Sequence, residues 1–246
     1  MAASWDGSSL KQKCECEFCR TGKGTSHNDS SHDQSLSQEI KFNQTQISIR
    51  GGTTKCARVA IKYFESKTTG FKCKSVIEVG AGTGLVGICL AHLGANVILT
   101  DQKPVMDLLQ FNVKRNLYTG ELDENSNPVQ VQCTTQELLW GNDDKIAECK
   151  RLTKGAPDFV IGSDLIYAKE GIEPLVQTCH ALAGPNTTVF VVVIRRFKWE
   201  ESFFEGMNKH FASETVHEDG DIQIHKFVRQ EQSKTTAATK DESKSS

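Results

Sequence analysis

The chain lacks any apolar run long enough to cross a bilayer. Its longest unbroken aliphatic and aromatic stretch, Val189 to Ile194, is far short of the roughly 20 residues a membrane helix requires. Nor is a secretory signal expected, since no basic region followed by an apolar stretch appears in Met1-Ala2-Ala3-Ser4-Trp5-Asp6 and beyond. Location in the cytoplasm or also the nucleus, away from membranes, is therefore expected. Charge of one sign is missing as well. Lys+Arg 29 against Asp+Glu 31 leave a net charge of -2, so no global positive field gathers a polyphosphate chain, and nucleic acid is disfavoured as a partner. No period of solenoid or propeller length recurs. A length of 246 residues, at roughly 150 residues per domain, argues for one domain with polar ends and a monomer.

Nine cysteines are present, an odd number that resists complete intramolecular pairing. Six of them, Cys56 to Cys179, are scattered singly and read as small hydrophobes or surface thiols of a reducing compartment. Cys14, Cys16 and Cys19, followed by His27 and His32, offer thiolate and imidazole groups to zinc. The paired-knuckle spacing is absent, however, and no apolar run surrounds them to fix ligand geometry, so no metal site is expected. Residues 1–38 hold almost no aliphatic side chains, and residues 230–246 are Lys, Ser, Thr, Asp and Glu around two adjacent alanines. Burial cannot offset the entropy of ordering such segments, so a disordered leader and tail are predicted around a domain at 39–229.

Within that domain, β-rich runs alternate with helical patterns, the signature of a parallel sheet covered on both faces. Ile40 and Phe42, then Ile47 and Ile49, alternate in two short preliminary strands, and a helix is predicted near Thr54 to Glu65. Strands are predicted at Ser75 to Val79, Val97 to Thr100, Val129 to Cys133, Asp158 to Gly162 and Thr188 to Ile194. Helices are expected from Leu85 to a stop at Gly94, from Pro104 towards Leu117, near Glu170 to Leu182, and over Glu201 to Lys209. Phe211 to Val216 and Ile222 to Val228 alternate around Asp219-Gly220, a hairpin turn signal. The expected fold is an α/β, Rossmann-like, seven-stranded, mostly parallel sheet with helices on both faces and a C-terminal antiparallel hairpin.

Chemistry concentrates after the Ser75 to Val79 strand. Glu78-Val79-Gly80-Ala81-Gly82-Thr83-Gly84-Leu85-Val86-Gly87 contains G-x-G-x-G through Gly80, Gly82 and Gly84, and from Gly82 also G-x-G-x-x-G. Such glycines bring main-chain N–H groups close to a ligand, and the following helix N-terminus favours an anionic group. NAD and S-adenosylmethionine both satisfy this, and Asp101, ending the second strand of the alternation, suits the ribose hydroxyls of either. Glu78 separates them: a carboxylate two residues before the first glycine repels a pyrophosphate and suits the cationic ammonium and sulfonium of S-adenosylmethionine.

At these residues the chain resembles the class I, seven-strand methyltransferases, with E-V-G-A-G-T-G-L similar to their first motif and Asp101 to their ribose acid. The resemblance covers roughly Glu39 to Val228. It sharpens at Asp164-Leu165-Ile166-Tyr167, in V-I-G-S-D-L-I-Y, which is similar to the DxxY signature of protein-lysine methyltransferases in methyltransferase family 16. The N-P-P-aromatic sequence usual in nucleic-acid N-methyltransferases is absent there. The resemblance implies that Gly80, Ala81 and Gly82 touch the methionine portion of S-adenosylmethionine, Asp101 the ribose and Trp140 the adenine, with Ser163 lining the same pocket. It implies a protein substrate of the chaperone or translation-factor type. One departure is plain: where the family commonly has a tryptophan after the glycine of its N-terminal segment, this chain reads Gly51-Gly52-Thr53-Thr54-Lys55.

Asp164 and Tyr167 are the candidate catalytic pair, sharing one face at i and i+3 if the chain coils there. A lysine with a free pKa of about 10.4 must arrive neutral, and a carboxylate with a flanking ring can orient it. A small-molecule methyltransferase and a non-catalytic cofactor-binding adaptor are the competing functions. Arg195-Arg196-Phe197-Lys198-Trp199 combines basic and aromatic residues in a loop suited to a partner or simply to solvent. His92 and His180 read as packing or surface histidines.

Overall fold

Ile40 and Phe42 of β1 (Ser37–Phe42) and Ile47 and Ile49 of β2 (Thr45–Arg50) point into the core of the computed structural model, which describes residues 37–230. The two strands pair as an antiparallel hairpin. Cys14, Cys16, Cys19, His27 and His32 lie outside the described residues, as does nearly all of the expected tail. After the Gly51-Gly52 break, Thr54 opens α1 (Lys55–Glu65), its hydroxyl accepting from the Ala57 N–H at 3.1 Å. This satisfies one of the helix's four orphan donors.

The alternation then runs through β3 (Ser75–Val79), α2 (Leu85–His92), β4 (Asn96–Asp101) and α3 (Met106–Arg115). A side hairpin of β5 (Tyr118–Leu122) and β6 (Pro128–Gln130) precedes β7 (Cys133–Glu137) and α4 (Asp143–Leu152). The chain continues as β8 (Phe159–Ser163), α5 (Ile172–Leu182), β9 (Thr188–Ile194), α6 (Glu201–Asn208), β10 (Phe211–Asp219) and β11 (Ile222–Arg229). Seven strands form one sheet in the order β10-β11-β9-β8-β3-β4-β7. The five from β9 to β7 are parallel, and β11 alone is reversed, pairing antiparallel with both β9 and β10. Alternate residues of the same strands serve opposite faces. Val76, Val97, Leu99 and Val192 pack with α1, α2 and the β1–β2 hairpin, whereas Ile77, Ile98, Val160 and Val191 pack with α4, α5 and α6. The expected sheet, two-sided cover and terminal hairpin are all present.

Three local expectations are corrected. The strand expected at Val129 to Cys133 is split: Pro128–Gln130 belongs to the side hairpin, and the sheet takes Cys133–Glu137. That edge strand reads C-T-T-Q-E, with only Cys133 buried. Main-chain pairing with β4, from Val97↔Cys133 to Asp101↔Glu137, therefore defines it rather than apolar alternation. Helix α4 was not anticipated, because it buries only Ile146 and Cys149; its capping signal is nonetheless real, with the Asn142 side chain accepting from the Lys145 N–H at 3.0 Å. The final turn is Gly220-Asp221, one residue later than expected, with Asp219 paired to Ile222 and Gly220 at φ +58°. Among the described residues no helix is long and apolar enough to cross a membrane.

Two contacts seat the glycine turn. Gly87, in the first turn of α2, leaves no room for a side chain: a methyl there would come within 2.1 Å of Leu99 Cδ2 and 2.6 Å of Glu78 Oε2. Its N–H donates to Glu78 Oε2 at 2.7 Å. Glu78 is 1% exposed, and burial pushes its carboxyl up to about 8 against a partial offset from the Gly87 N–H. On the other side, the wholly buried Asn112 of α3 acts as a substitute strand partner. Its Oδ1 accepts from the Arg50 N–H at 2.9 Å, and its Nδ2 donates to the carbonyls of Arg50 at 3.0 Å and Thr83 at 2.9 Å. Asn116, one turn on, pairs likewise with both main-chain groups of Ser48.

Replacing Asn112 with Leu strands a buried N–H and two carbonyls, so Asn112→Leu should lower unfolding free energy by about 2–4 kcal/mol in urea titration; a loss below about 0.5 kcal/mol would contradict this bracing role. Glu78 predicts a pH dependence. Its folded value of about 8 lies above the ordinary 4.5, so folding favours the protonated form. That contribution is complete below pH 4.5 and is lost progressively as pH rises towards 8. Stability of the native chain relative to Glu78→Gln should therefore fall across this window, and a pH-independent difference would refute the assignment.

Candidate active site

The sheet reverses its winding direction between β3 and β8, which are neighbours although far apart in sequence. At such a switch point the carboxyl ends of adjacent strands splay to leave a crevice for ligands. The turn after β3 enters this edge with Gly80 at φ +62° and Gly82 at φ +57°, values that favour glycine. The turn is closed by the Ala81 N–H to the Thr100 carbonyl at 2.9 Å and the Gly84 N–H to the Ala81 carbonyl at 2.8 Å. Gly84 is the N-cap of α2. A Cβ built on Gly82 meets nothing within 4 Å, so the main chain there faces open space.

Asp101 ends β4 beside that opening. Its Oδ2 accepts from the Gly82 N–H at 2.8 Å and its Oδ1 from the Gln102 N–H at 2.7 Å. Burial raises its carboxyl above the ordinary range, and the two amides act in the opposite direction. The end of β7 is joined to the same place by the Leu138 N–H, which donates to the Asp101 carbonyl at 2.9 Å. Two residues on, Trp140 lies so close to Gly80 that a methyl there would stand 3.2 Å from its Cζ2. The indole is 6.3 Å from the Tyr167 ring, centroid to centroid, at 49°. Four elements thus bring Gly80, Gly82, Asp101, Trp140 and Tyr167 to one edge.

Glu78 is placed otherwise than its sequence suggested. Its carboxyl is turned beneath α2 onto Gly87 instead of opening towards a cationic ligand. Its charge is therefore not what distinguishes one cofactor from another. Open backbone at Gly82, a helix N-terminus and an acid at the next strand end nevertheless fit S-adenosylmethionine.

Ser163 ends β8 opposite Val192 of β9. Asp164 follows with φ +57°, a left-handed conformation that aspartate tolerates better than most side chains. Its N–H donates to the Val192 carbonyl at 2.8 Å, extending the β8–β9 ladder by one bond. The expected coil from Asp164 to Tyr167 does not form. The Tyr167 N–H instead reaches the Leu165 carbonyl at 3.2 Å, and α5 begins only at Ile172. The reason is the left-handed residue itself, which breaks a helical course at its first step. Asp164 Oδ1 is 2.9 Å from Arg196 Nη2, and the Tyr167 side chain is exposed.

Two residues gain importance only here. Asn112 reads in sequence as part of an apolar helix face, its polar character in that stripe being the one signal. Arg196 stood only within a basic and aromatic loop. In that loop Arg195 pairs with Glu201 and lies over the Phe204 ring at 4.8 Å, while Phe197 stacks on Trp199 at 5.6 Å. His92 bonds the Asn116 carbonyl through Nε2, and His180 stacks on His210, as packing histidines do. Cys56, Cys89, Cys133, Cys149 and Cys179 are buried free thiols. Among the described residues no group of three or more His, Cys, Asp or Glu is arranged to hold a metal ion.

Comparison with known proteins bears on the family and the fold. A lysine methyltransferase family model matches residues 34–210. The chain is 33% identical over 192 residues to protein N-lysine methyltransferase METTL21A of Danio rerio, covering 78% of this chain and 80% of that one. It is 37% identical over 172 residues to EEF1A lysine methyltransferase 3 of Xenopus tropicalis, covering 68% and 69%. In fold it is similar to a T. thermophilus 16S rRNA N2 G1207 methyltransferase (RsmC) solved with AdoMet and guanosine, at 15% identity and TM-score 0.56, over 79% of this chain and 50% of that one. A second likeness is to magnesium protoporphyrin IX methyltransferase (ChlM) from Synechocystis PCC 6803 with bound SAH, at 16% identity and TM-score 0.50, over 73% and 89%. The extent of the family match and of the curated identities places this chain in the lysine methyltransferase family, as an S-adenosylmethionine-dependent protein-lysine N-methyltransferase.

Proposed function

We propose that the cleft at the carboxyl edge of the sheet methylates a lysine on a protein of the chaperone or translation-factor class, with Asp164 and Tyr167 receiving the amine. The observation that carries this is the anchoring of Asp164. Its backbone is bonded to Val192, and its carboxylate projects at the end of β8, on the same edge as the Gly82 opening and Asp101. The translation-factor half of the substrate class has support in the likeness to EEF1A lysine methyltransferase 3.

Gly80, Ala81 and Gly82 hold the methionine portion of the cofactor, Asp101 accepts from the ribose hydroxyls, Trp140 lies against the adenine and Ser163 lines the pocket. Gly84 starts the helix whose N-terminus faces the bound carboxylate. Glu78 contributes from beneath, fixing Gly87 and with it the start of α2. When bound, S-adenosylmethionine supplies a methyl carbon made electrophilic by its sulfonium. The protein's task is then position and protonation state. Asp164 orients the nitrogen, and Tyr167, partly exposed and beside Trp140, flanks the aliphatic stem of the lysine. An exposed ring at the mouth admits a side chain carried on a protein surface.

Incubation with labelled S-adenosylmethionine and soluble cell protein should mark protein bands, and mass spectrometry should place the methyl groups on lysine. Label confined to small metabolites would overturn the proposal. Asp164→Ala should lower turnover by about 100-fold or more while leaving S-adenosylhomocysteine binding intact. Asp101→Ala should weaken S-adenosylhomocysteine binding by about 10- to 100-fold in calorimetry, the range for lost hydrogen bonds to a charged group; unchanged affinity would remove Asp101 from the cofactor site.

A further inference from the structure

We propose that Arg196 is a positioning residue for methyl transfer: its guanidinium, paired with Asp164, offsets the carboxylate's charge so that the substrate amine loses its proton at a lower pH than beside the carboxylate alone. Arg196 can act in this way only if Asp164 receives the amine, as proposed above.

The pair is built into the fold from both sides. Arg196 Nη2 lies 2.9 Å from Asp164 Oδ1. The Arg196 N–H donates to Glu200 Oε2 at 2.8 Å. Glu200 is 2% exposed, and its other carboxylate oxygen has no hydrogen-bond partner, so the strand-to-helix loop is pinned by a buried acid. Asp164 is tied to Val192 of β9, the strand from whose end Arg196 emerges. The backbones of both partners are therefore referred to the same β8–β9 ladder, which sets where their side chains meet.

The electrostatic consequence follows from the chemistry of amines. A lone carboxylate within about 4–6 Å stabilises an ammonium and raises its pKa by about 1–3 units. That holds the lysine firmly but in its non-nucleophilic form. A guanidinium on the same carboxylate acts in the opposite sense on the amine and keeps its charge at every working pH. The pair then presents a hydrogen-bond acceptor with little net charge. The amine's proton passes to solvent, its lone pair forms the new N–C bond, and the electrons of the broken C–S bond remain on sulfur.

The neighbouring ionisable groups do not undo this. Cys56 of α1 feels both Asp164 and Arg196, but burial first, then Asp164, push its thiol up to about 12, so it is neutral at working pH. Burial opposes the charged form of Arg196, but Asp164 and, least of all, Glu200 ahead of α6 hold it above its ordinary value, so Asp164 is the acid to which the guanidinium chiefly answers. Tyr167 follows on the Asp164 loop. Arg195 next door is paired with Glu201.

The test compares native chain, Arg196→Gln and Arg196→Lys, with labelled S-adenosylmethionine and soluble cell protein as acceptor, from about pH 6.5 to about pH 9.5, around the range in which a depressed lysine titrates. Arg196→Gln should move the acid limb of kcat/KM about one unit to higher pH. Its rate should then be about tenfold low near neutrality and should recover in alkali, with melting temperature and S-adenosylhomocysteine affinity unchanged. Arg196→Lys, which keeps the charge, should leave the limb in place. A limb that stays put in Arg196→Gln, or shifts equally in Arg196→Lys, overturns the role of Arg196 alone. A native chain that labels no lysine overturns the substrate assignment, and this role with it.

Discussion

Helix α2 rests so closely on β3 and β4 that a single methyl group at position 87 would collide with Leu99 and Glu78. The rest of the site depends on that approach. It sets where the helix N-terminus stands relative to the end of β3, and therefore where the Gly80 to Gly84 turn can open. A buried acid completes the contact by accepting the Gly87 N–H, and its own burial favours the protonated carboxyl. Glu78, the acid just ahead of the glycine motif, is thus a structural fastener, and the acid beside the open main chain at Gly82 is Asp101.

The two acids at the sheet edge are held by different means. Asp101 is fixed by two main-chain N–H groups, one from the glycine turn itself. Its position is thereby coupled to the conformation of Gly82. Asp164 is fixed through its backbone to β9 and through its side chain to Arg196. Trp140 packs near Gly80 and Gly171 and approaches Tyr167. The glycine turn is braced by Asn112 against the N-terminal hairpin. The end of β8 carries the charged pair, followed by the exposed ring of Tyr167.

Much of the architecture was legible because buried parallel strands and their covering helices carry strong local signals. Thr188–Ile194 is apolar after its first residue and Ser75–Val79 carries Val76, Ile77 and Val79, and the sequence-based limits coincide with the observed ones. The misses share a cause. β7 is an edge strand of threonines and polar residues whose place is decided by pairing with β4. Helix α4 buries two side chains and has little apolar periodicity to detect. Candidate site residues were readable where a motif names them, as at Gly80 to Gly84 and Asp164 to Tyr167. Asn112 and Arg196 belong to no motif, since each acts through a partner 62 or 32 residues away.

The sequence by itself determined the layered α/β design, the glycine turn and the acids at the strand ends, because periodicity, turn chemistry and short motifs are local properties of a chain. Only the tertiary structure decided which way Glu78 points, which cation accompanies Asp164 and what braces the Gly80–Gly84 turn. Those are contacts between segments distant in sequence, and nothing in local propensity encodes the partner that burial and strand order bring alongside.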